Sequence, residues 1–508
     1  MSQLTAERTL GPRVQDLLND LVNRFDARRR DVLRVREQRR AQLASGDVDR
    51  LPDTAHVRNT EWRIDPIPEA LIERRVELLG GCTRSELING LNAGAKSYIA
   101  DLWNLTPGDA WSVLRAHRVL ERAARLELAY LDPQEGRVRA NPKSPTRLMI
   151  VPRPLHVLET GVMIAEEPVP AALFDMAMLT VHCAPELIER QGGLYVYLRD
   201  VQGHLEARLW AKLFDELEQL LGLERGSIRA TVMIDSVAGA LEVDEILFEL
   251  MHHAAGLSMD PQGYVADHIS LFHGKNVGVF PDRESVGLNA PFLRALSLHL
   301  IGVGHRRECH VIGAPTFVLP SREAGKVKAS YLEMLADKDR ESTDGHDGTI
   351  VVHEDTVNPA MVEFNKNMPR ANQLHYQRHD DITPVDLVRR PEGSITVESL
   401  VSTIRTILRA FVQRWQGNAW VVQGGRLHDR SSLRLALRLL WQWNHAEQGM
   451  ITATKLDIHE DLLRYLVKKE ADKMFVDADA RTKALAGQAV ALTLDLVFAP
   501  QVPLEPQA

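Results

Sequence analysis

The amino-acid sequence predicts a (β/α)8 barrel with a helical segment on either side of it. Between about residues 90 and 370, short apolar runs alternate with longer amphipathic stretches. Several of the short runs are apolar at successive positions, which indicates burial on both faces, as in a parallel sheet. The flanking stretches, before about residue 80 and after about residue 385, show helical periodicity. Such an alternation of strands and helices is typical of a closed eight-stranded barrel.

The apolar runs predict six strands of this barrel. They cover residues 96–102, 146–151, 193–198, 228–234, 310–319 and 349–352. Between them, residues 206–223 place their leucines and a tryptophan on one side of a helix, and residues 244–253 and 291–302 are similar. A doubly wound open sheet is the alternative. No Gly-x-Gly-x-x-Gly turn follows the first predicted strand, which favours the barrel.

The helical segments at the two ends set the expected domain boundaries. Apolar residues recur at helical spacing near the start of the chain, and Pro66 and Pro68 interrupt that pattern. The predicted C-terminal helices cover residues 397–414, 431–445 and 459–474. We therefore expect an N-terminal helical domain over residues 1–85, the barrel over 86–375 and a C-terminal helical domain over 380–508.

The charge of the chain argues against a nucleic-acid partner. The net charge is -8, from 61 basic and 69 acidic residues, and it is spread along the chain. The one basic cluster, residues 28–40, contains Asp31 and Glu37, which favours a solvated helix face.

Cysteine usage and hydropathy point to a reducing compartment. Cys82, Cys183 and Cys309 are far apart and odd in number, so neither a disulfide framework nor a zinc site is indicated. The first eight residues lack the pattern of a secretory signal. No apolar run approaches the roughly 18 residues that a membrane span needs. We expect a cytoplasmic protein without a membrane partner.

Six motifs follow one another along the chain in the order known from one enzyme family. They are Ile88-Asn-Gly-Leu-Asn-Ala-Gly-Ala-Lys96, Gly193-Leu-Tyr-Val-Tyr-Leu-Arg199, His204-Leu-Glu-Ala-Arg-Leu-Trp210, Ile228-Arg-Ala-Thr-Val-Met-Ile234, Asp344-Gly-His-Asp-Gly-Thr-Ile-Val-Val-His353 and Leu440-Trp-Gln-Trp443. Together they resemble malate synthases of the short, A-type form, from about residue 15 to about residue 475. The resemblance implies a (β/α)8 barrel with an N-terminal helical clasp and a C-terminal helical plug over the barrel mouth.

The resemblance also implies a reaction. Malate synthases condense acetyl-CoA with glyoxylate in a Claisen-type step and then hydrolyse the thioester to give malate. An aspartate base removes a proton from the acetyl methyl group, and an arginine stabilises the enolate oxygen. Mg²⁺, held by a glutamate and an aspartate, binds glyoxylate and polarises its aldehyde.

The family's base corresponds to Asp429, which lies twelve residues before Trp441. From the residues alone, Asp429-Arg-Ser-Ser-Leu is an equally good helix N-cap, and the family spacing favours the base. His428 precedes it and is a candidate cation or acid beside the base.

The family's catalytic arginine corresponds to Val151, whereas Arg153 matches a second arginine of the same motif. Pro152 and Pro154 constrain the backbone around Arg153. A salt-bridged or solvent-facing role therefore competes with a catalytic role for this side chain.

The metal ligands of the family are altered. The family glutamate corresponds to Asp235 and the family aspartate to Gly263. Asp260 and Asp267 flank Gly263, and from a strand or turn we expect each to point elsewhere. A single Asp235 among neutral groups predicts a poor Mg²⁺ site, because this ion requires several oxygen ligands. No other cofactor is indicated.

The substituted positions predict a remodelled pocket. A further Glu-Asp pair of the family corresponds to Trp103 and Asn104. With Val151 and Gly263, they are expected to line a drier and differently shaped substrate pocket.

Three functions are open. The first is an enzyme that acts on an acyl-CoA or related thioester by condensation, cleavage or hydrolysis. Its second substrate is a 2-oxo acid other than glyoxylate, or glyoxylate handled differently, with Asp429 as base and Arg153 or His428 assisting. The second is a true malate synthase with unusual metal ligands such as Asp235 and Asp260. The third is a non-catalytic protein that keeps the fold. The expected partners are a small-molecule thioester and an organic acid, and a homo-oligomer is compatible with the sequence.

Overall fold

Eight parallel strands close into a barrel in the computed structural model, which describes residues 10–134, 136–273, 278–320 and 327–503. The strands are β1 (Val76–Gly80), β2 (Ser97–Asp101), β3 (Arg147–Val151), β4 (Leu194–Leu198), β5 (Ile228–Ile234), β6 (Ala254–Met259), β7 (His310–Thr316) and β8 (Gly348–Val351). Each strand pairs with the next, and β8 returns to β1 with Thr349 opposite Val76. The predicted (β/α)8 barrel is confirmed.

Two of these strands, β1 and β6, escape the sequence-based prediction. Strand β1 contains the charged residue Glu77, which does not fit the apolar pattern of a buried strand. Inside the barrel, Arg74 donates to both carboxylate oxygens of Glu77, at 2.9 and 3.0 Å. Strand β6 begins Ala-Ala-Gly, which has low β propensity. The expected barrel boundary at residue 86 is therefore wrong, because the barrel has begun by Val76.

The helices alternate with the strands and continue on both sides of the barrel. They are α1 (Pro12–Ser45), α2 (Ala55–Asn59), α3 (Arg84–Asn92), α4 (Ala110–Ala124), α5 (Ala171–His182), α6 (Ala184–Gln191), α7 (His204–Leu221), α8 (Val237–Leu241), α9 (Val243–Glu249), α10 (Pro261–Phe272), α11 (Pro291–Arg306), α12 (Val327–Asp344), α13 (Val357–Asn367), α14 (Pro384–Val388), α15 (Val397–Trp415), α16 (Arg430–His445), α17 (Glu460–Met474) and α18 (Ala480–Val497).

The long N-terminal helix α1 packs against α5, α7 and α10 on the outside of the barrel. Its arginines were expected to form a solvated face, and for one side of the helix that expectation is wrong. Arg29 is buried and donates to Asp26 and to the carbonyl of Leu155. Arg36 and Arg40 also turn inward, towards carboxylates of the barrel domain. The helix therefore contributes positive charge to the interior.

The C-terminal helices cover one end of the barrel. Helix α16 packs against α10 and α15. A hairpin formed by Val421–Gln423 and Arg426–His428 leads into it, and the amide of Leu427 donates to the carbonyl of Phe317, just after β7, at 2.8 Å. This contact places the N-terminus of α16 at the carboxyl ends of the barrel strands.

In the described part of the chain, no single helix is long and apolar enough to cross a membrane. Helices α5 and α6 pass that test only as a pair, bent by 62°. The three cysteines are free and buried.

Candidate active site

A cluster of charged side chains occupies the mouth of the barrel, where the carboxyl ends of the strands meet the N-terminus of α16. Its members are Asp101 from the end of β2, Arg199 after β4, Asp235 after β5, Asp260 after β6, and Asp429. None of them is more than 7% exposed to solvent. This is the end of the barrel at which (β/α)8 enzymes assemble their active sites.

Asp429 is both a helix cap and a buried carboxylate of the mouth. Its Oδ1 accepts from the amide of Ser432 at 2.9 Å, as an N-cap does. Its Oδ2 lies 3.4 Å from Nδ2 of Asn104. Burial, together with the negative charge of Asp260, raises the pKa of Asp429 to about 6. The carboxylate is therefore largely ionised at neutral pH and able to take up a proton.

Arg199 is the central cation of the cluster, and sequence reasoning did not single it out. Its Nη1 donates to Oδ2 of Asp260 at 2.9 Å, and its Nε lies 3.6 Å from Oδ2 of Asp101. Burial disfavours its charge, but the carboxylates of Asp101 and Asp260 raise the pKa of Arg199 above its usual value. Nε and Nη2 are buried and have no hydrogen-bond partner among the described residues. They are thus available to an oxygen atom of a ligand.

Asp260 points into the cluster, so the expectation that it points elsewhere is wrong. It caps helix α10, its Oδ1 accepting from the amides of Gln262 and Gly263. Its Oδ2 accepts from Ser431 at 2.7 Å as well as from Arg199. The sequence contains a pattern that could have predicted this orientation. Asp260 precedes Pro261, and an aspartate followed by a proline is typical of a helix N-cap and the first helical position.

The loop after β2 carries Trp103 and Asn104 to the mouth of the barrel. Oδ1 of Asp101 accepts from both of their amides at 2.7 Å, which fixes the turn. Asn104 donates to Ser431 at 3.0 Å and faces Asp429. The ring of Trp103 lies 4.1 Å from the guanidinium of Arg430 and forms part of a cavity wall.

Of the two expected pocket residues Val151 and Gly263, only Gly263 lines one of the two cavities described below. Val151 is buried in the apolar interior of the barrel, in one cluster with Leu105 and Phe317. Gly263 lies in the first turn of α10, not on the strand or turn that the sequence suggested. A Cβ at position 263 would lie 3.0 Å from Cβ of Asp235 and 3.3 Å from Nη2 of Arg434. Arg434 therefore occupies the space into which a side chain at 263 would project.

Arg153 lies in a buried ion-pair network. It donates to Asp175 through Nε and Nη2 and to Glu159 through Nη1, at 2.7 to 3.3 Å. Although burial opposes its charge, Asp175 and Glu159 raise the pKa of Arg153 above its usual value. Of the competing expectations, the salt-bridged one agrees with this geometry, and the solvent-facing one is wrong.

His428 is held as a neutral side chain. Burial and the neighbouring charge of Arg283 lower the pKa of His428 to about 3. Its Nδ1 accepts from Arg283 at 3.2 Å, and its Nε2 donates to the carbonyl of Gln423 at 3.1 Å. The expectation of a cation or acid at this position is therefore wrong.

Two cavities are lined by Asp235 or by chain neighbours of Asp260 and Asp429. The first, of about 160 Å³, lies between the barrel and the C-terminal domain, and His428, Pro261 and Phe317 are among its lining residues. The second, of about 650 Å³, is lined in part by Arg430, Gly263 and several further arginines. Asp429 lies in the chain between His428, which lines the first cavity, and Arg430, which lines the second.

The residues at the mouth do not fit a divalent cation. Asp235 keeps one buried oxygen, Oδ1, without a hydrogen-bond partner among the described residues. Burial and Asp200 raise the pKa of Asp235 to about 8. The oxygens of Asp260 are engaged by Arg199, Ser431 and backbone amides. The guanidinium of Arg434 beside Gly263 adds a positive charge where the ion would need a ligand.

Among the described residues, the ligand atoms of one group of three side chains converge as a metal site would require, and this group lies elsewhere. Asp215, Glu218 and His253 come together near the start of β6, at the opposite end of the barrel. Asp215 is paired with Arg225 at 2.7 Å, and Glu218 accepts from two backbone amides. These contacts account for the group without a metal ion.

We expect ligand binding at the mouth to be independent of Mg²⁺, since the oxygens of Asp260 are engaged by Arg199, Ser431 and backbone amides and the pKa of Asp235 is raised to about 8. Titration calorimetry of a 2-oxo acid in the presence of EDTA and in the presence of Mg²⁺ should give affinities that differ by less than about threefold. A requirement for Mg²⁺ would show instead that Asp235 and Asp260 rearrange to hold the ion.

The fold and the site define a class: a (β/α)8-barrel protein whose charged centre is completed by a C-terminal helical domain. Residues 147–390 match the family model described as malate synthase, TIM barrel domain. A malate synthase of Streptomyces clavuligerus is 34% identical over 465 residues, which are 89% of this chain and 85% of that relative. A malate synthase of Myxococcus xanthus (strain DK1622) is 34% identical over 440 residues, which are 86% of this chain and 81% of that relative.

Malate synthase A of Escherichia coli (strain K12) is 31% identical over 440 residues, which are 86% of this chain and 82% of that relative. The chain belongs to the malate synthase family. The resemblance of the six motifs is thereby confirmed.

Proposed function

We propose that this protein is an enzyme that condenses an acyl-CoA with a 2-oxo acid in a Claisen-type reaction without a bound Mg²⁺. The observation that carries the proposal is the position of Asp429. It is a buried carboxylate with a pKa raised to about 6, it belongs to one cluster with Arg199, and its chain neighbours His428 and Arg430 each line a cavity. Groups that act as general bases at neutral pH need a pKa tuned towards that range.

In the first step, the Asp429 carboxylate removes a proton from the carbon next to the thioester carbonyl. The C–H bonding pair moves towards that carbonyl, whose oxygen becomes an enolate. Arg199 supplies the positive charge for this oxygen through Nε and Nη2, which lack protein partners in the described part of the chain. Hydrogen-bond donors that are fixed in advance where negative charge develops stabilise the transition state most effectively.

In the second step, the enolate carbon attacks the oxo carbon of the acid and a C–C bond forms while the π bond of the oxo group breaks. The oxo oxygen then takes up the proton that Asp429 removed in the first step, which restores the Asp429 carboxylate. Hydrolysis of the thioester by water would then release the CoA thiol. The first cavity, which reaches the mouth past His428 and Leu427, suits the narrow thioester arm. The second cavity, with its arginines, suits the acid.

The two other functions receive less support from the geometry. A malate synthase with Asp235 and Asp260 as metal ligands would require an ion next to Arg199 and Arg434. A non-catalytic protein gives no reason for a buried carboxylate whose pKa is raised to about 6 in one cluster with Arg199. Formation of malate from acetyl-CoA and glyoxylate only with Mg²⁺ would favour the former, and absence of any affinity for CoA the latter.

Exchange of the acetyl methyl protons tests the proposed function without knowledge of the acid. Acetyl-CoA is incubated with the protein in D₂O, alone and with each of several 2-oxo acids, and deuterium in the methyl group is followed by mass spectrometry. We expect protein-dependent exchange. If no deuterium enters the methyl group under any of these conditions, the proposed function is wrong.

The rate of this exchange should depend on pH through Asp429. The base is active when ionised, and its pKa is raised to about 6, so the active form is lost as the pH falls through that value. We expect a plateau near neutral pH and a decline of about tenfold per pH unit below about pH 6. A rate that stays flat down to pH 4.5 would contradict the assignment of the base.

A further inference from the structure

Three helix faces converge on the second cavity, which we call the arginine cavity: the space of about 650 Å³ lined by Arg36, Arg40, Arg430, Arg434 and Arg438. Arg36 and Arg40 are one turn apart on α1, and the other three follow at four-residue spacing along α16. The third face belongs to α10, whose Gly263, Asp267 and Ser270 complete the wall.

The arginine cavity has two ends. Trp103, Asp235 and Gly263 lie at the end next to the charged cluster, where α10 and α16 begin. Arg438 and Ser270 lie about two helical turns further along, roughly 10 Å away at 1.5 Å per residue. Arg40 reaches the far end too, since its Nη1 pairs with Asp267 at 2.6 Å and its Nη2 lies 3.5 Å from Oγ of Ser270.

Five guanidinium groups line the cavity against four carboxyl groups, those of Glu37, Asp200, Asp235 and Asp267, and the pKa of Asp235 is raised to about 8, so positive charge is in excess at neutral pH. Arg36 pairs with Asp200 at 3.1 Å, and Arg40 pairs with Asp267. Arg438 makes no such pair: its Nη1 donates to the carbonyl of Ala266, and its buried Nε has no hydrogen-bond partner among the described residues.

The surroundings of Arg438 confirm that its end of the cavity is electropositive. Burial and the neighbouring guanidinium of Arg434 lower the pKa of Arg438 to about 9, and Arg40 acts in the same direction. Asp267 and Asp200 oppose this shift without cancelling it. An anion bound beside Arg438 would relieve the repulsion among these cations.

Size and charge together point to the class of acid. A 2-oxo acid with one carboxylate would place its reacting oxo group and its charge at the near end and leave Arg438 unmatched. On the basis of the proposed function, we infer that the acid substrate is a 2-oxo dicarboxylic acid. Its 2-oxo acid end lies beside Asp235 and Gly263, and its second carboxylate lies between Arg438 and Arg40 at the far end.

Binding measurements with a set of acids test this inference. Glyoxylate and pyruvate represent acids with one carboxylate, and oxaloacetate and 2-oxoglutarate represent those with two. Titration calorimetry of the full chain should show a dicarboxylic acid binding at least about tenfold more tightly than either monocarboxylic acid. Equal affinities, or tighter binding of the monocarboxylic acids, would overturn the inference.

The variant Arg438→Gln locates the second carboxylate. We expect it to weaken binding of the dicarboxylic acid by about tenfold or more and to leave the affinity for pyruvate and for CoA unchanged. Arg481→Gln, an exposed arginine on α18, is the matched control and should change none of these affinities. If the loss for Arg438→Gln falls on CoA, the cavity holds the CoA phosphates and the inference is wrong.

A second variant tests the same end of the cavity independently, in case Arg438→Gln does not fold. Ser270→Glu adds a carboxylate at the far end and should reduce binding of the dicarboxylic acid while pyruvate binds as before. Methyl-proton exchange separates the two proposals. Exchange without preference for dicarboxylic acids refutes only the inference, whereas Arg438-dependent binding of a dicarboxylic acid without exchange under any condition refutes the proposed function.

Discussion

Replacing Asp429 by asparagine is expected to slow exchange of the acetyl methyl protons by about 10²- to 10⁴-fold, the range that general-base catalysis contributes. The amide cannot accept the proton, yet it can still cap α16 by accepting from the amide of Ser432. The melting temperature should therefore stay close to that of the unchanged protein. The measurement combines the D₂O exchange assay with a thermal melt of each variant.

Asp479→Asn is the matched control for this experiment. Asp479 caps α18 through the amide of Thr482 at 2.7 Å, and so it has the same local role far from the barrel mouth. We expect both variants to melt alike and only Asp429→Asn to lose exchange. If Asp429→Asn retained full exchange, Asp429 would be a cap alone and the base would have to be sought elsewhere in the cluster.

Replacing Arg199 should produce the second large effect. Arg199→Gln removes the charge proposed to stabilise the enolate, and we expect the exchange rate to fall by about 10²- to 10³-fold, as when one oxyanion donor is lost. Arg199→Lys keeps the charge but loses the forked geometry, so we expect an intermediate rate. The exchange rate and the KM for acetyl-CoA are measured together, because a loss in the transition state lowers kcat and leaves KM little changed.

The stability of the Arg199 variants needs its own control, since removing the guanidinium leaves Asp101 and Asp260 without their shared cation. Arg229→Gln removes a buried arginine near the start of β5, at the opposite end of the barrel, and should affect folding without affecting exchange. Equal exchange rates for folded Arg199→Gln and unchanged protein would exclude Arg199 from the proposed mechanism.

The fold was largely predictable because buried strands and helices show local apolar runs or apolar periodicity in the sequence. Runs such as residues 148–151 are apolar on both faces, and the structure has β3 at those positions. Strand β1 shows no such apolar run, because its second residue is the charged Glu77. Arg74 pairs with Glu77 inside the barrel, and a hydropathy pattern along the chain does not show this contact. A buried ion pair depends on two residues that meet in the fold. The hydropathy of either residue alone wrongly predicts that it is exposed.

The candidate site was predictable only in part for the same reason. Asp429 and Asn104 were found from motif spacing, and the structure brings them to 3.4 Å although 325 positions separate them. Arg199 was overlooked, because only the closure of the barrel shows that the residue after β4 faces the carboxylates after β2 and β6. The arginine cavity requires α1 and α16, from the two ends of the chain, to meet beside α10.

The close approach of Gly263 and Arg434 constrains how this site can change over evolutionary time. A Cβ at 263 would lie 3.0 Å from Cβ of Asp235 and 3.3 Å from Nη2 of Arg434, so these neighbours would have to shift by a few tenths of an ångström. The effect of a substitution at 263 should therefore depend on which residue stands at 434. We expect the two positions to be epistatic, so that a carboxylate at 263 is tolerated differently before and after a change at 434.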